Sequence, residues 1–268
     1  MPKVVPLATR ALGTEPGMPD LAALAGWVAD HRGTAADLHA YQLDRSLAPQ
    51  LSAGITFPCA GGLFCRDRLR ESLIGLDAKR EAAVEELHVD TGALTGDASR
   101  LAAEKREVWC ALPAPRSLGI ADRYYHDDEE WCAAITGAYR TMMRAMRDAG
   151  IGGHVLICTT ADDQEIAHLA GKKVFFFAPD PGCADLETLM EYQRVVAVNP
   201  KMLGAAIDRA DQYEVNRWIL VDPDKEGIQL ALSHFDPDQV TGGGYCTEEC
   251  DAYWEELTQR AVYEKSRP

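Results

Sequence analysis

No run of about eighteen apolar residues occurs anywhere in the 268-residue chain, so no membrane-spanning helix is expected. The first residues, MPKVVPLATRALG, lack a continuous apolar segment ending in a small-residue cleavage site, and the protein is therefore read as soluble and cytoplasmic. Clustered basic charge is also missing. The 27 Lys and Arg are dispersed among 42 Asp and Glu, and a net charge of −15 repels phosphate backbones and anionic membrane surfaces. Nucleic acid and membrane are thus not expected as partners. A small-molecule substrate is, with a homo-oligomer or a protein partner left open. Neither a GxSxG elbow nor an HExxH pair appears, which removes the common hydrolase and zinc-protease signatures.

What is present is enough apolar content, 47%, for a sizeable core. Residues 1–106 read as a helical N-terminal layer. PDLAALAGWVADH sets Leu21, Leu24, Ala25 and Val28 at helical spacing, and CRDRLRESLIGLDAKREAAVEELHVD is charged and helix-prone with Leu69, Leu73 and Leu76 on one side. LGTEPGMP and FPCAGG punctuate this region as loops.

From residue 107 the pattern changes. EVWCALPAP is the first strand candidate, and WCAAITGAYRTMMRAMRDAG follows as an amphipathic helix preceded by four acids and closed by Gly150. Four apolar runs come next: HVLICTT (154–160), KVFFFAPD (173–180), RVVAVNP (194–200) and RWILVDPD (217–224), their starts separated by 19, 21 and 23 residues with short helical pieces between. That is the rhythm of a parallel sheet covered on both faces. The fold class expected is α/β, mostly parallel, with residues 107–268 forming the core and its C-terminal helix. Because repeats of about twenty residues are short for a barrel unit, an open, doubly wound sheet is favoured. DKEG before IQLALSHF is read as a hairpin turn.

In a parallel sheet, ligands bind beyond the carboxyl ends of the strands. Asp162, Asp163, Asp180 and Asp222 fall there as candidate ligands or bases, and His126, in ADRYYHDDEEW, is the candidate proton shuttle, with His234 second. Asp and Asn at strand exits also have an ordinary explanation as turn and helix-cap residues. Converging carboxylates would call for a cation such as magnesium.

Eight cysteines in a chain without a secretory signal point to thiols or metal ligands. Cys59 and Cys65 in FPCAGGLFC, with Cys246 and Cys250 in TGGGYCTEEC, could compose a four-thiolate zinc or iron–sulfur site, although spacings of five and three residues match no standard knuckle. TGGGYCTEEC itself is a poor phosphate loop, since acids follow the glycines where a Lys is needed. A helix start capped by Thr247 suits it better. The leading functional expectation is an enzyme performing hydrolysis or group transfer on a small polar substrate, assisted by a metal. The alternatives are a non-catalytic binding or assembly protein stabilised by a Cys-bound metal, and a metal-free thiol enzyme using Cys59 or Cys246.

Overall fold

The computed structural model describes residues 3–31, 36–247 and 250–265. Along the chain, β1 (Lys3–Pro6) precedes β2 (Thr9–Thr14), α1 (Leu21–Asp30), α2 (Leu38–Ser52) and β3 (Cys59–Gly61). Next come α3 (Arg66–Ser72), β4 (Leu73–Leu76), β5 (Ala82–Val89), α4 (Gly92–Glu104), β6 (Trp109–Pro113), β7 (Ala121–Asp122) and α5 (Asp128–Asp148). The remainder alternates strictly: β8 (Gly153–Ile157), α6 (Asp163–Leu169), β9 (Val174–Phe177), α7 (Cys183–Tyr192), β10 (Val195–Val198), α8 (Pro200–Arg209), β11 (Arg217–Val221), α9 (Lys225–Leu232), β12 (Val240–Cys246), α10 (Cys250–Arg260) and β13 (Val262–Lys265).

The mostly parallel α/β architecture read from the sequence is what the chain adopts. Its strand order, however, lacks the reversal that a doubly wound sheet has at its switch point. Parallel ladders join β10, β11, β12 and β2 in one run and β3, β6, β8 and β9 in another. The runs meet at two seams. At the first, Ala11 N–H donates to the Phe57 carbonyl and Phe57 N–H to that of Thr9, while the Thr9 and Thr56 hydroxyls each accept the other residue's N–H. At the second, β9 lies beside β10 and the bonding is done by one side chain. The carboxamide of Gln193 accepts from Phe176 N–H at 2.8 Å and donates to the Phe176 carbonyl at 2.9 Å. Each of the eight central strands therefore neighbours the next in sequence around a closed parallel barrel.

The short repeats that argued for an open sheet are sufficient because strands of four or five residues need only short helices to cover them. The first hundred residues are likewise more than a helical layer: β2 and β3 are barrel strands, so residue 107 marks no boundary within the sheet. β3 has only three residues, and β2, TRALGT, lacks the continuous β-branched or aromatic run that marks the later strands. The helix expected after Cys65 stops at Ser72, and the chain turns back as an antiparallel pair, β4 with β5, to which β7 adds in parallel. The stretch 225–232, expected as half of a hairpin, is helical, its turn-like DPDKEG supplying Asp224 as a cap that accepts Gly227 N–H at 2.7 Å.

Inside the barrel, Ile157, Phe175, Phe177, Ala197, Ile219 and Val221 pack into one cluster. Its floor is closed by Arg10, 7% exposed, whose guanidinium stacks over Trp109 at 4.4 Å and Phe57 at 4.8 Å. Cation–π contact of this kind compensates part of the desolvation that lowers its pKa to about 10. Outside, α5 lays Ile135, Tyr139, Met142 and Met146 on the sheet, each buried side chain contributing roughly 1.5–3 kcal/mol. The Met-rich face is core, as its spacing implied.

The stretch TGGGYC is the last barrel strand, and its glycines are there for space. A Cβ on Gly242 would meet that of Ala261 at 2.7 Å, one on Gly243 would collide with Ile219 inside the barrel, and one on Gly244 would meet the Tyr253 hydroxyl at 2.5 Å. Alternation of out, in, out is the period of a strand. α10 begins at Cys250 with Asp251 in its first turn, while Glu248 and Glu249 lie outside the described residues.

Candidate functional site

The carboxyl ends of β2, β11 and β12 carry two tyrosine–carboxylate pairs. Glu15 directly follows β2; its N–H donates to the Cys246 carbonyl at 2.7 Å, which fixes it against the end of β12. Its carboxylate accepts the Tyr245 hydroxyl at 2.6 Å and Leu63 N–H at 2.5 Å on Oε1, and Phe64 N–H at 3.3 Å on Oε2. Gly62 is required beside it, because any Cβ would run into Glu15 Oε1. Three strand ends are thus tied through one carboxylate.

Asp222 follows β11 in the left-handed region, with φ of 47°, a conformation Asp tolerates better than most residues. Its N–H donates to the Gly243 carbonyl at 2.9 Å, and its Oδ1 accepts the Tyr253 hydroxyl at 2.6 Å across the space left by Gly244. Burial and then the neighbouring carboxylate raise the pKa of Tyr245 and of Tyr253, so both phenols stay protonated donors; for Tyr245 the Glu15 hydrogen bond is the second cause, for Tyr253 the Asp222 charge. Phe177 packs edge-on against Tyr245, with ring centroids 5.5 Å apart.

Across the barrel, at the ends of β6 and β8, sits the opposite charge. Arg116, 62% exposed along its side chain, holds Asp162 Oδ2 at 2.9 Å, and its backbone N–H donates to Glu165 Oε1 at 2.8 Å. Glu165 is 3% exposed, and burial, then the charge of Asp162, push its pKa up to about 7 against the pull of Arg116.

Of the residues singled out from sequence, Asp222 stands in the paired site. Asp162 is the N-cap of α6, accepting Glu165 N–H at 3.0 Å, and Asp163 is the exposed first residue of that helix. Asp180 is exposed in the loop after β9. His126 is exposed with φ of 55°, its N–H bound to Asp122 Oδ2 at 2.7 Å beside β7. His234 follows α9, on the side of the barrel that leads into β12, with Ser233 Oγ 2.9 Å from its Nδ1. The aspartates do not converge, because six helices spend an Asp or Asn on their own first turn: Asp20, Asp37, Asp127, Asp162, Asn199 and Asp224.

The four-thiolate arrangement is not what the cysteines form. Cys246 and Cys250 are joined as a disulfide, with Cα atoms 5.8 Å apart. Cys59 and Cys65 are separately buried thiols whose pKa values burial drives upward. Among the described residues no three His, Cys, Asp or Glu side chains come together to hold a metal ion. The cysteines therefore do not fit the four-thiolate zinc or iron–sulfur centre expected from sequence. Glu15, Tyr245 and Tyr253 had escaped the sequence reading. The signal in the sequence is the acid in the Gly-Thr-Glu-Pro-Gly loop that leaves β2.

No family model matches the chain, and no curated protein matches it in sequence. Its fold is similar over nearly its whole length to two solved structures. One is a candidate vitamin-B12-independent methionine synthase from Listeria monocytogenes, with TM-score 0.67, 16% identity and 96% of each chain covered. The other is a B12-independent methionine synthase from Shewanella sp. W3-18-1 in complex with selenomethionine, with TM-score 0.57, 15% identity and 95% of each chain covered. At these identities the likeness is one of fold. Among the described residues, no helix is long and apolar enough to cross a membrane.

Proposed function

We propose that the chain is an enzyme acting by group transfer on a small amino-acid-like molecule at the carboxyl end of the barrel. The observation that carries this reading is the pair of carboxylates, Glu15 and Asp222, each fixed by a tyrosine hydroxyl at 2.6 Å at the ends of β2 and β11, the two strands that flank β12. Two oriented acids suit a cationic amino group, and the guanidinium of Arg116 across the mouth suits a carboxylate. The Shewanella neighbour, which holds an amino acid, supports the same class of ligand. A preorganised site of this kind positions its substrate by electrostatics already in place, without reorganising during reaction. In this reading Asp222, of the residues expected from sequence, keeps a role at the site. Asp162, Asp163, Asp180 and His126 serve local structure.

The test is a calorimetric titration with methionine and selenomethionine, repeated on Glu15→Gln and Asp222→Asn. Binding that weakens at least tenfold in both variants, while their circular dichroism and melting stay near those of the parent, supports the reading. Absence of binding to the parent, or equal binding by all three proteins, overturns it.

A further inference from the structure

The disulfide is placed between the two halves of the proposed site. Tyr245, the donor to Glu15, immediately precedes Cys246, and Tyr253, the donor to Asp222, lies one helical turn beyond Cys250. Glu15 N–H is itself bonded to the carbonyl of Cys246. The same bond therefore joins the end of β12 to the start of α10 at the point from which both tyrosines reach their carboxylates.

Its two sulfurs differ in access. Cys246 is 2% exposed, whereas Cys250 is half-buried and forms part of the wall of a cavity of about 430 Å³ with Pro16, Met18, Tyr41 and Arg45. A thiolate entering there would approach Cys250 beside the Arg45 guanidinium, and Cys246 would be the leaving sulfur.

We propose that Cys246–Cys250 is a thiol–disulfide exchange site, served by a dithiol reductant, whose opening loosens both tyrosine–carboxylate pairs. In the first step a thiolate of the dithiol bonds to Sγ of Cys250; the S–S bond breaks, and its electron pair passes to Sγ of Cys246, which takes a proton. The second thiol then attacks the mixed disulfide, releasing Cys250 as a thiol and leaving the dithiol as a disulfide. Two electrons and two protons reach the protein, and an oxidised dithiol reverses both steps. The structural change stands on the geometry above. Its effect on ligand binding rests on the function proposed for the mouth.

The test uses the full chain, oxidised and after treatment with dithiothreitol, alongside Cys246→Ser/Cys250→Ser. Amide hydrogen exchange is followed by mass spectrometry in peptides covering 9–16, 60–66 and 240–257, with 174–178 as the internal reference. About tenfold faster exchange in the first three regions of the reduced protein and of the variant is expected, with the reference unchanged, with dithiothreitol having no effect on the variant, and with recovery on adding oxidised dithiol. Identical exchange in the two redox states, or alkylation of Cys246 and Cys250 without prior reduction, overturns the proposal. Methionine titrations in both states separate it from the functional reading. Affinity at least fivefold weaker in the reduced protein supports both; no binding in either state, with exchange still responding, removes the functional reading and leaves the exchange site standing.

Discussion

Carboxylates on the two sides of the barrel mouth meet different fates. Around β2, β11 and β12, Glu15 and Asp222 are held by phenol hydroxyls carried on other elements, so their positions are set by tertiary packing. Around β6 and β8, Asp162 is consumed by its own helix and by Arg116, and Glu165 is buried beneath the rim. Equal residue types at equivalent strand ends thus do unlike jobs, and what separates them is the partner, a neutral phenol on one side and a guanidinium with a helix's own first turn on the other. Tyr245 lies 230 residues from Glu15, while Glu165 lies three from Asp162.

The difference can be probed first where it is largest. The carboxyl of Glu165 ionises near 4.5 in an unfolded chain and near 7 here, so between those pH values the folded protein holds a proton the unfolded chain has released. Stability should fall as pH rises through that window, by on the order of 3 kcal/mol in all, and Glu165→Gln should flatten the slope in urea titrations from pH 4 to 8. A parent profile with no such slope would mean that the β6–β8 side does not bury a proton-binding acid.

On the other side, Glu15→Gln or Asp222→Asn should weaken amino-acid binding by about 10- to 100-fold, the worth of a hydrogen bond to a charged group, whereas Asp163→Asn and Asp180→Asn should leave it within about twofold. Comparable losses from all four would erase the distinction between the two sides.

Cys250→Ser should cost about 2 kcal/mol of unfolding free energy in oxidising buffer and nothing under dithiothreitol, since the loop closed by the disulfide is short. A cost in both buffers would assign the loss to packing. Smallest of all, Arg116→Ala should change stability by less than about 0.5 kcal/mol, because its ion pair with Asp162 is largely solvated. A larger loss would show that this exposed pair, and not only Glu165, supports its side of the mouth.

The same contrast explains how far the sequence could be read. The compact units from β8 onward were legible, because each apolar strand, polar exit and short helix is written locally: RWILVDPD and the helix after it contain their own strand, cap and core residues. β3 was not, since three residues after Pro58 hold no periodicity, and neither was closure, which depends on Gln193 meeting Phe176. Asp222 was reachable from its place at a strand exit. Glu15 was hidden because nothing near it in sequence reveals that the Leu63 amide and the Tyr245 phenol will surround it. Cys246 and Cys250 meet where β12 gives way to α10, and with only two sulfurs at hand the outcome is a covalent bond instead of a metal cage.

The seam at Gln193 carries a consequence for the chemistry of ageing. Its carboxamide is matched to one peptide group, nitrogen facing carbonyl and oxygen facing N–H. Deamidation would keep the shape and exchange a single NH₂ for oxygen, turning a donor into a lone pair aimed at the carbonyl of Phe176 and placing a charge where burial is nearly complete. One of the two hydrogen bonds that close the seam thus hangs on a single nitrogen atom, and a hydrolysis invisible in outline would set a carboxylate oxygen against the carbonyl of Phe176.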